Sequence, residues 1–162
     1  MRLAILSDTH LPRGSRAIPP RCLELMRGAD AILHAGDFAQ LEVLRSLRAL
    51  GPPVYGVTGN IDAPELHVEL PSARVVKAEG ARIAMLHDAG PADGRLERMR
   101  RRFPDADAVV FGHSHLPLLE ERGGFAIFNP GSPTERRRAP RHTMGLATAQ
   151  DRELRFELVE LD

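Results

Sequence analysis

Five short apolar runs punctuate the first two thirds of the chain and constrain its fold more than any other feature: RLAILS at 2–7, DAILHAG at 30–36, PVYGVTG at 53–59, ARIAMLH at 81–87 and DAVVFG at 107–112. Each is nearly continuous. A strand with one wet face alternates apolar and polar residues, because successive side chains point to opposite sides; a continuous run has both faces buried. Between the runs lie segments of helical period. PPRCLELMRGA at 19–29 opens with prolines suited to a first helical turn. AQLEVLRSLRAL at 39–50 carries Leu41, Leu44, Leu47 and Leu50 before the breaker GPP, and ADGRLERMRRRFP at 92–104 ends on Pro104. Strand and helix in alternation predict an α/β fold with a largely parallel sheet in this part. In the tail, 116–132 reads as two strands about an RGG turn and 142–162 as a closing hairpin turning near Gln150 and Asp151. A second, more antiparallel sheet packed on the first is expected from it.

The 162 residues suffice for one domain, 1–162, with a core of its own. The 22 basic side chains cancel the 22 acidic ones, which argues against a nucleic-acid partner or an anionic membrane surface. Cys22 is the single cysteine, so an internal disulfide and a cysteine-based zinc site are both excluded. Any metal ligands are therefore His, Asp, Glu or Asn. The N-terminal apolar run reaches Ser7 and Asp8 too early for a signal-peptide core, and no segment approaches the roughly 18 apolar residues of a membrane span. A cytoplasmic location is expected, and a homo-oligomer stays open.

The polar residues fall in a pattern. The first run is followed by Asp8-Thr9-His10, the second by Gly36-Asp37, the third by Gly59-Asn60; the fourth ends on His87 and the fifth leads into Gly112-His113-Ser114-His115. Ligands of open α/β sheets bind at the carboxyl ends of strands, so five strands deliver metal-capable groups to one edge. Phosphate ester hydrolysis needs charge neutralised on the phosphoryl oxygens and a hydroxide available at neutral pH, and two divalent ions about 3.5–4 Å apart supply both. Mixed imidazole, carboxylate and amide ligands suit Mn²⁺, Fe²⁺, Zn²⁺ or Ni²⁺ better than Mg²⁺ or Ca²⁺. The glycines before Asp37, Asn60 and His113 are expected to let the backbone turn sharply. In an extended backbone His113 and His115 project to the same face and converge.

DTH, GD, GN, a lone strand-end His and GHSH, in that order, resemble the signature of the calcineurin-like metallophosphoesterase superfamily. With the short chain and NPGS at 129–132, the sequence is most similar to its small bacterial and archaeal phosphodiesterases, related to the retromer subunit of the same fold. The resemblance spans residues 3 to about 132. It implies an αββα sandwich, two mixed sheets flanked by helices, with the site at their common C-terminal strand edge. It also implies two ions, Mn²⁺ first among the candidates: Asp8, His10 and His115 hold one, Asn60, His87 and His113 the other, and Asp37 bridges. The implied activity is hydrolysis of a small-molecule phosphate ester, a diester before a monoester. A hydroxide bridging the ions attacks phosphorus, and Asp37, His10, Asn60 and His113 surround the reacting group.

Two positions depart from that pattern. Larger relatives read GNHD, whose His is a candidate general acid; here Ile61 stands in its place and transfers no proton, so esters with easily expelled leaving groups are favoured. Asp62 then caps the following turn or serves nearby. Where many relatives have Gly after the strand-end His, this chain has Asp88, which faces either the ligands or solvent. Plainer explanations exist for single residues. Asp8 and Asp37 could cap helices, Asn60 could sit in a turn, and His34, His67 and His142 match no ligand position. RMRRR at 98–102 reads as a solvated helix face, and one of Arg136, Arg137 or Arg138 is a candidate phosphate clamp. The competing reading of the whole chain is a protein-binding scaffold on the same fold, with weak or no catalysis.

Overall fold

A computed structural model describes residues 1–162. Each continuous apolar run becomes a strand or its approach: β1 (Arg2–Leu6), β2 (Ala31–His34), β3 (Val54–Gly56), β5 (Ala81–Leu86) and β6 (Ala108–Val110). Between them stand α1 (Pro20–Arg27), α2 (Leu41–Arg48), α3 (Pro64–Glu69), β4 (Ala73–Ala78) and α4 (Arg95–Arg102); the tail forms β7 (Leu118–Arg122), β8 (Phe125–Asn129), β9 (Thr143–Gln150) and β10 (Glu153–Glu160). No helix is long and apolar enough to cross a membrane.

The double burial of β1 explains its composition. Leu3 and Ile5 point into the core between two sheets with Leu33, Ile83, Met85, Val110 and Phe128. Ala4 and Leu6 point outward under Cys22 and Met26 of α1, Leu44 and Leu47 of α2 and Leu66 of α3. On the opposite outer face, Ala84, Leu86, Val109 and Ile127 pack under Leu96 and Met99 of α4. The layers are therefore helices, sheet, sheet, helix.

The division of strands differs from the expectation of a parallel sheet followed by an antiparallel one. Both sheets are mixed, in the orders β10-β9-β1-β2-β3 and β4-β5-β6-β8-β7. The closing hairpin joins the first sheet, where β9 lies antiparallel to β1 with Arg2 opposite Thr148, and β8 joins the second, parallel to β6. Apolar runs show that a strand's faces are covered but not what pairs with its edges; β1 has β2 on one edge and needs a second partner, which only the tail provides. β4 also escapes a search for continuous runs. It is an edge strand whose Val76 and Ala78 face the core while Val75 and Lys77 face solvent, and it turns into β5 through Glu79 and Gly80, both with positive φ.

Where the two sheets approach at their strand ends, Gly112 has no room for a side chain. A Cβ there would overlap Ser7 Oγ and stand 2.6 Å from Asp8 Oδ2. Gly112→Ala is expected to destabilise the protein by about 1–3 kcal/mol, as overpacking does, read as a lower urea midpoint at an unchanged m-value.

Candidate metal centre

All seven candidate ligands leave the ends of their strands on one edge. Asp8 and His10 follow β1, Asp37 follows β2, Asn60 follows β3, His87 follows β5, and His113 and His115 follow β6. Five of them, Asp8, His10, Asp37, His113 and His115, hold φ between 46° and 70°, a left-handed backbone that costs energy for any non-glycine residue. The extended geometry expected at His113 and His115 is thus replaced by positive φ at both, and their rings have different neighbours: the His115 centroid stands 4.9 Å from that of His10, the His113 centroid 5.3 Å from that of His87. Of the three glycines expected to turn the chain, only Gly36 has positive φ. Gly59 and Gly112 serve close approach, since a Cβ on Gly59 would overlap the Asp37 carboxylate and amide.

Hydrogen bonds lock these bends. The amides of Asp8 and His10 donate to the Gly36 and Asp37 carbonyls, the His113 amide donates to Asp8 Oδ2 at 3.0 Å, and Ser132 Oγ donates to the Asp8 carbonyl at 2.7 Å. Asp62 is not a cap: α3 has Ala63 at its N-cap. Its carboxylate instead accepts the amides of Asp37, Gly59 and Ala39, at 3.2, 2.8 and 2.8 Å, and so fixes the second and third loops against each other. Asp8 and Asp37 likewise cap nothing, because Pro19 and Gln40 occupy the N-caps of α1 and α2.

Two groups could hold a metal ion, Asp8 with His10 and His115, and Asp8 with Asp37 and His87. Asp37 Oδ2 lies 3.2 Å from Nε2 of both His10 and His87. Nδ1 of His87 faces the Ala35 carbonyl and Nδ1 of His115 faces the Glu135 carbonyl, so each ring donates from Nδ1. In the neutral imidazole that leaves a lone pair on Nε2. The Nε2 lone pair of His115 points at Asp8 Oδ1, 3.3 Å away, and that of His87 at Asp37 Oδ2 and at Asn60 Oδ1, 3.1 Å away. Acceptors turned on acceptors repel unless a proton or a cation sits between them. Asp8 Oδ1, His10 Nε2 and His115 Nε2 are moreover buried without a hydrogen-bond partner, which fits a divalent ion at their meeting point. Asn60 Oδ1 also lies 3.1 Å from His113 Nδ1, which brings the remaining candidates together.

Without an ion, protons do this work. Burial opposes a charge on His10, but the Asp37 and Asp8 carboxylates outweigh it and raise the imidazole to about 9. His87 is raised against burial by the same two carboxylates. His115 meets only Asp8, and burial holds it below its ordinary value. Asp37 is driven far below the carboxylate range despite burial, because the His10 and His87 imidazoles stand against it.

Other histidines play no part in the cluster. His34, pushed down to about 3 by burial, takes the Gly36 amide on Nδ1, lies 3.1 Å from Thr9 Oγ1 through Nε2, and stacks on Phe38. His67 is exposed on α3, and His142 pairs with Asp162. Ser114 turns away and accepts from the Asn129 amide group. Asp88 is exposed, accepts the Gly90 amide, and places Oδ2 4.0 Å from His113 Nε2. Arg136 and Arg137 line a cavity of about 570 Å³ with Arg16 and Glu135, into which no candidate ligand projects, and Arg136 Nη1 is taken by the Ala139 carbonyl. Sequence reasoning missed Glu135. Its Oε2 lies 3.3 Å from His10 Nδ1, its Oε1 receives Arg13 at 3.0 Å, and its carbonyl receives His115. Residue spacing carried no sign of it; only its position three residues after the NPGS turn places it by the centre.

A two-sheet sandwich with these ligand groups at one edge defines a metallophosphoesterase fold, and the chain belongs to the calcineurin-like phosphoesterase superfamily, whose domain model matches residues 1–152. It is 33% identical over 136 residues to a probable metallophosphoesterase of Methanothermobacter thermautotrophicus, covering 83% of this chain and 78% of that one. It is 30% identical over 152 residues to the phosphodiesterase YfcE of Escherichia coli K12, covering 82% and 79%. Among solved structures, Vps29 of Entamoeba histolytica complexed with Zn²⁺ superposes with a TM-score of 0.80 at 24% identity over the whole of both chains, which speaks to the fold.

The metal-free protein is expected to lose stability as pH rises. His10 is held at about 9 in the fold against an ordinary 6.5, so its contribution is complete below pH 6.5 and lost as pH climbs through 9. His87 acts in the same direction, while Asp37 stays ionised throughout. Thermal melts in chelator should show Tm falling from pH 6.5 to 9, and His10→Asn should flatten that fall.

Proposed function

We propose that this chain is a dinuclear metal-dependent phosphoesterase that prefers phosphodiesters. The observation that carries this reading is Asp37 Oδ2, 3.2 Å from the Nε2 atoms of both His10 and His87, beside Asp8, which the two ligand groups share. Asp8, His10 and His115 would hold one divalent ion, Asn60, His87 and His113 the second, with Asp37 shared. When bound, such ions would neutralise phosphoryl charge and lower the pKa of a bound water enough to supply hydroxide at neutral pH. N and O donors of this kind suit Mn²⁺, Ni²⁺, Fe²⁺ or Zn²⁺.

The chain's own residues divide the remaining tasks. Asp8, His10, Asp37, His87 and His115 are buried, whereas Asn60 and His113 are exposed, so a substrate approaches over the second group. Asn60 Oδ1 faces the two histidines, which leaves its amide hydrogens for a phosphoryl oxygen. Asp88, beside His113, repels the extra charge that a monoester would bring to the scissile phosphate, which supports a diester preference. The name of the Escherichia coli relative supports it as well. The orphaned Asp8, His10 and His115 atoms support a bound divalent ion, which the enzyme reading requires.

Purified protein loaded with Mn²⁺ should carry two ions per chain by elemental analysis and hydrolyse bis(p-nitrophenyl) phosphate; Asp37→Ala should lose bound metal and hydrolysis together. A wild-type protein with no bound metal would overturn the enzyme reading. Ile61 donates no proton to a leaving group and is exposed beside Asn60. Its rate should therefore fall steeply with leaving-group pKa, and Ile61→His should raise turnover of alkyl esters by about 100-fold, the low end for a recovered general acid.

A further inference from the structure

The cavity that Asn60, His87 and His113 line, about 240 Å³, extends past the ligands to Ser72, Asp88 and a single arginine, Arg102. At the ~30 Å³ share of a liquid water it has room for roughly eight waters, enough for a phosphate group beyond the one at the ligands. Arg102 belongs to the run that reads in sequence as a solvated helix face. Three of its neighbours on α4 are committed: Arg95 donates to the Gly90 carbonyl, Arg98 to the carbonyls of Ala89, Pro91 and Asp93, and Arg100 to those of Arg122 and Gly123. Arg101 and Arg102 make no hydrogen bond and no ion pair, and of these two only Arg102 lines the cavity, where it is unpaired even with Asp88; its guanidinium rests against the Phe103 ring, 5.5 Å from the centroid. A planar fork of five donors, uncommitted and carried by a residue that lines the same cavity as the candidate ligands, matches a phosphate in bidentate geometry.

We propose that Arg102 forms an anion subsite and that the preferred substrates carry a second phosphate group beyond the scissile one. This deepens the phosphodiesterase reading and rests on it for the identity of the scissile group. Asp88 keeps surplus negative charge away from His113, and Arg102 receives it further along the cavity, so the pair sets the orientation in which a bisphosphorylated molecule enters.

The test compares thymidine 3′,5′-bisphosphate with thymidine 5′-phosphate by calorimetry on the Mn²⁺-loaded protein, alongside hydrolysis of the p-nitrophenyl diesters of the same two nucleotides. Wild type should bind the bisphosphate about tenfold more tightly or better, the range of a charge-assisted bidentate contact. Arg102→Ala should bring that ratio close to one with metal content unaltered, Arg102→Lys should retain part of it, and Arg101→Ala should retain all of it. A wild-type ratio near one, a ratio that survives in Arg102→Ala, or an equal loss in Arg101→Ala would overturn the subsite. Should the ratio depend on Arg102 while neither diester is hydrolysed, the subsite stands and the phosphodiesterase reading falls.

Discussion

Everything in this molecule is arranged around two carboxylates, Asp8 and Asp37, buried where two sheets meet. An unpaired buried charge is among the most expensive things a protein can contain. The chain answers with imidazoles: Asp37 touches His10 and His87, and Asp8 touches His115. Asp8 is also a structural joint. It ends the central strand of the first sheet, its Oδ2 accepts the amide of His113 from the second, and its carbonyl accepts Ser132 and lies near the Thr134 hydroxyl. One residue therefore couples the charge at the centre to the seam that holds the sandwich together.

Five left-handed backbone positions in the ligand loops follow from that arrangement. A loop that leaves a strand and must turn a short side chain back toward its neighbours has few conformations available, and Asp and His tolerate φ above zero better than most. The cost is spread over braces that are not themselves ligands: Asp62 between the second and third loops, Asn129 on the Gly112 carbonyl, and Glu135 across His10 and His115. Supports of this kind orient the ligand side chains.

Much of this was legible in the sequence, for identifiable reasons. Continuous apolar runs marked β1, β2, β3, β5 and β6 because burial on both faces leaves no room for alternation. The polar residues that follow them marked the edge where a site belongs. The tail hairpins were visible, but their destinations were not, since a strand's composition records what covers its faces and not which edge it joins. β4 was missed because its outward Val75 and Lys77 break the pattern of a buried strand. The two Arg runs ended in different places. Arg136 and Arg137 line a cavity that reaches Glu135 but no ligand, whereas Arg102 comes from a helix turn that looked inert and shares a cavity with three of the candidate ligands. A helix-face pattern reports average polarity, and a single guanidinium at the end of the helix is decided by where that end stops.

The pairing of β9 with β1 shapes how the chain folds as well as what it becomes. The N-terminal amine donates to the carbonyl of Ala149, and Arg2 through Ile5 lie opposite Thr148 through Gly145. The strand that carries Asp8 thus has a free edge until nearly the whole chain is available to close it. Contacts so distant in sequence require a large loop to be closed before they are rewarded, which slows folding. Until residues 143–150 pair with it, β1 keeps that edge exposed and open to pairing with another molecule, while the loop that carries Asp8 and His10 is held from the other side by the Gly36 and Asp37 carbonyls.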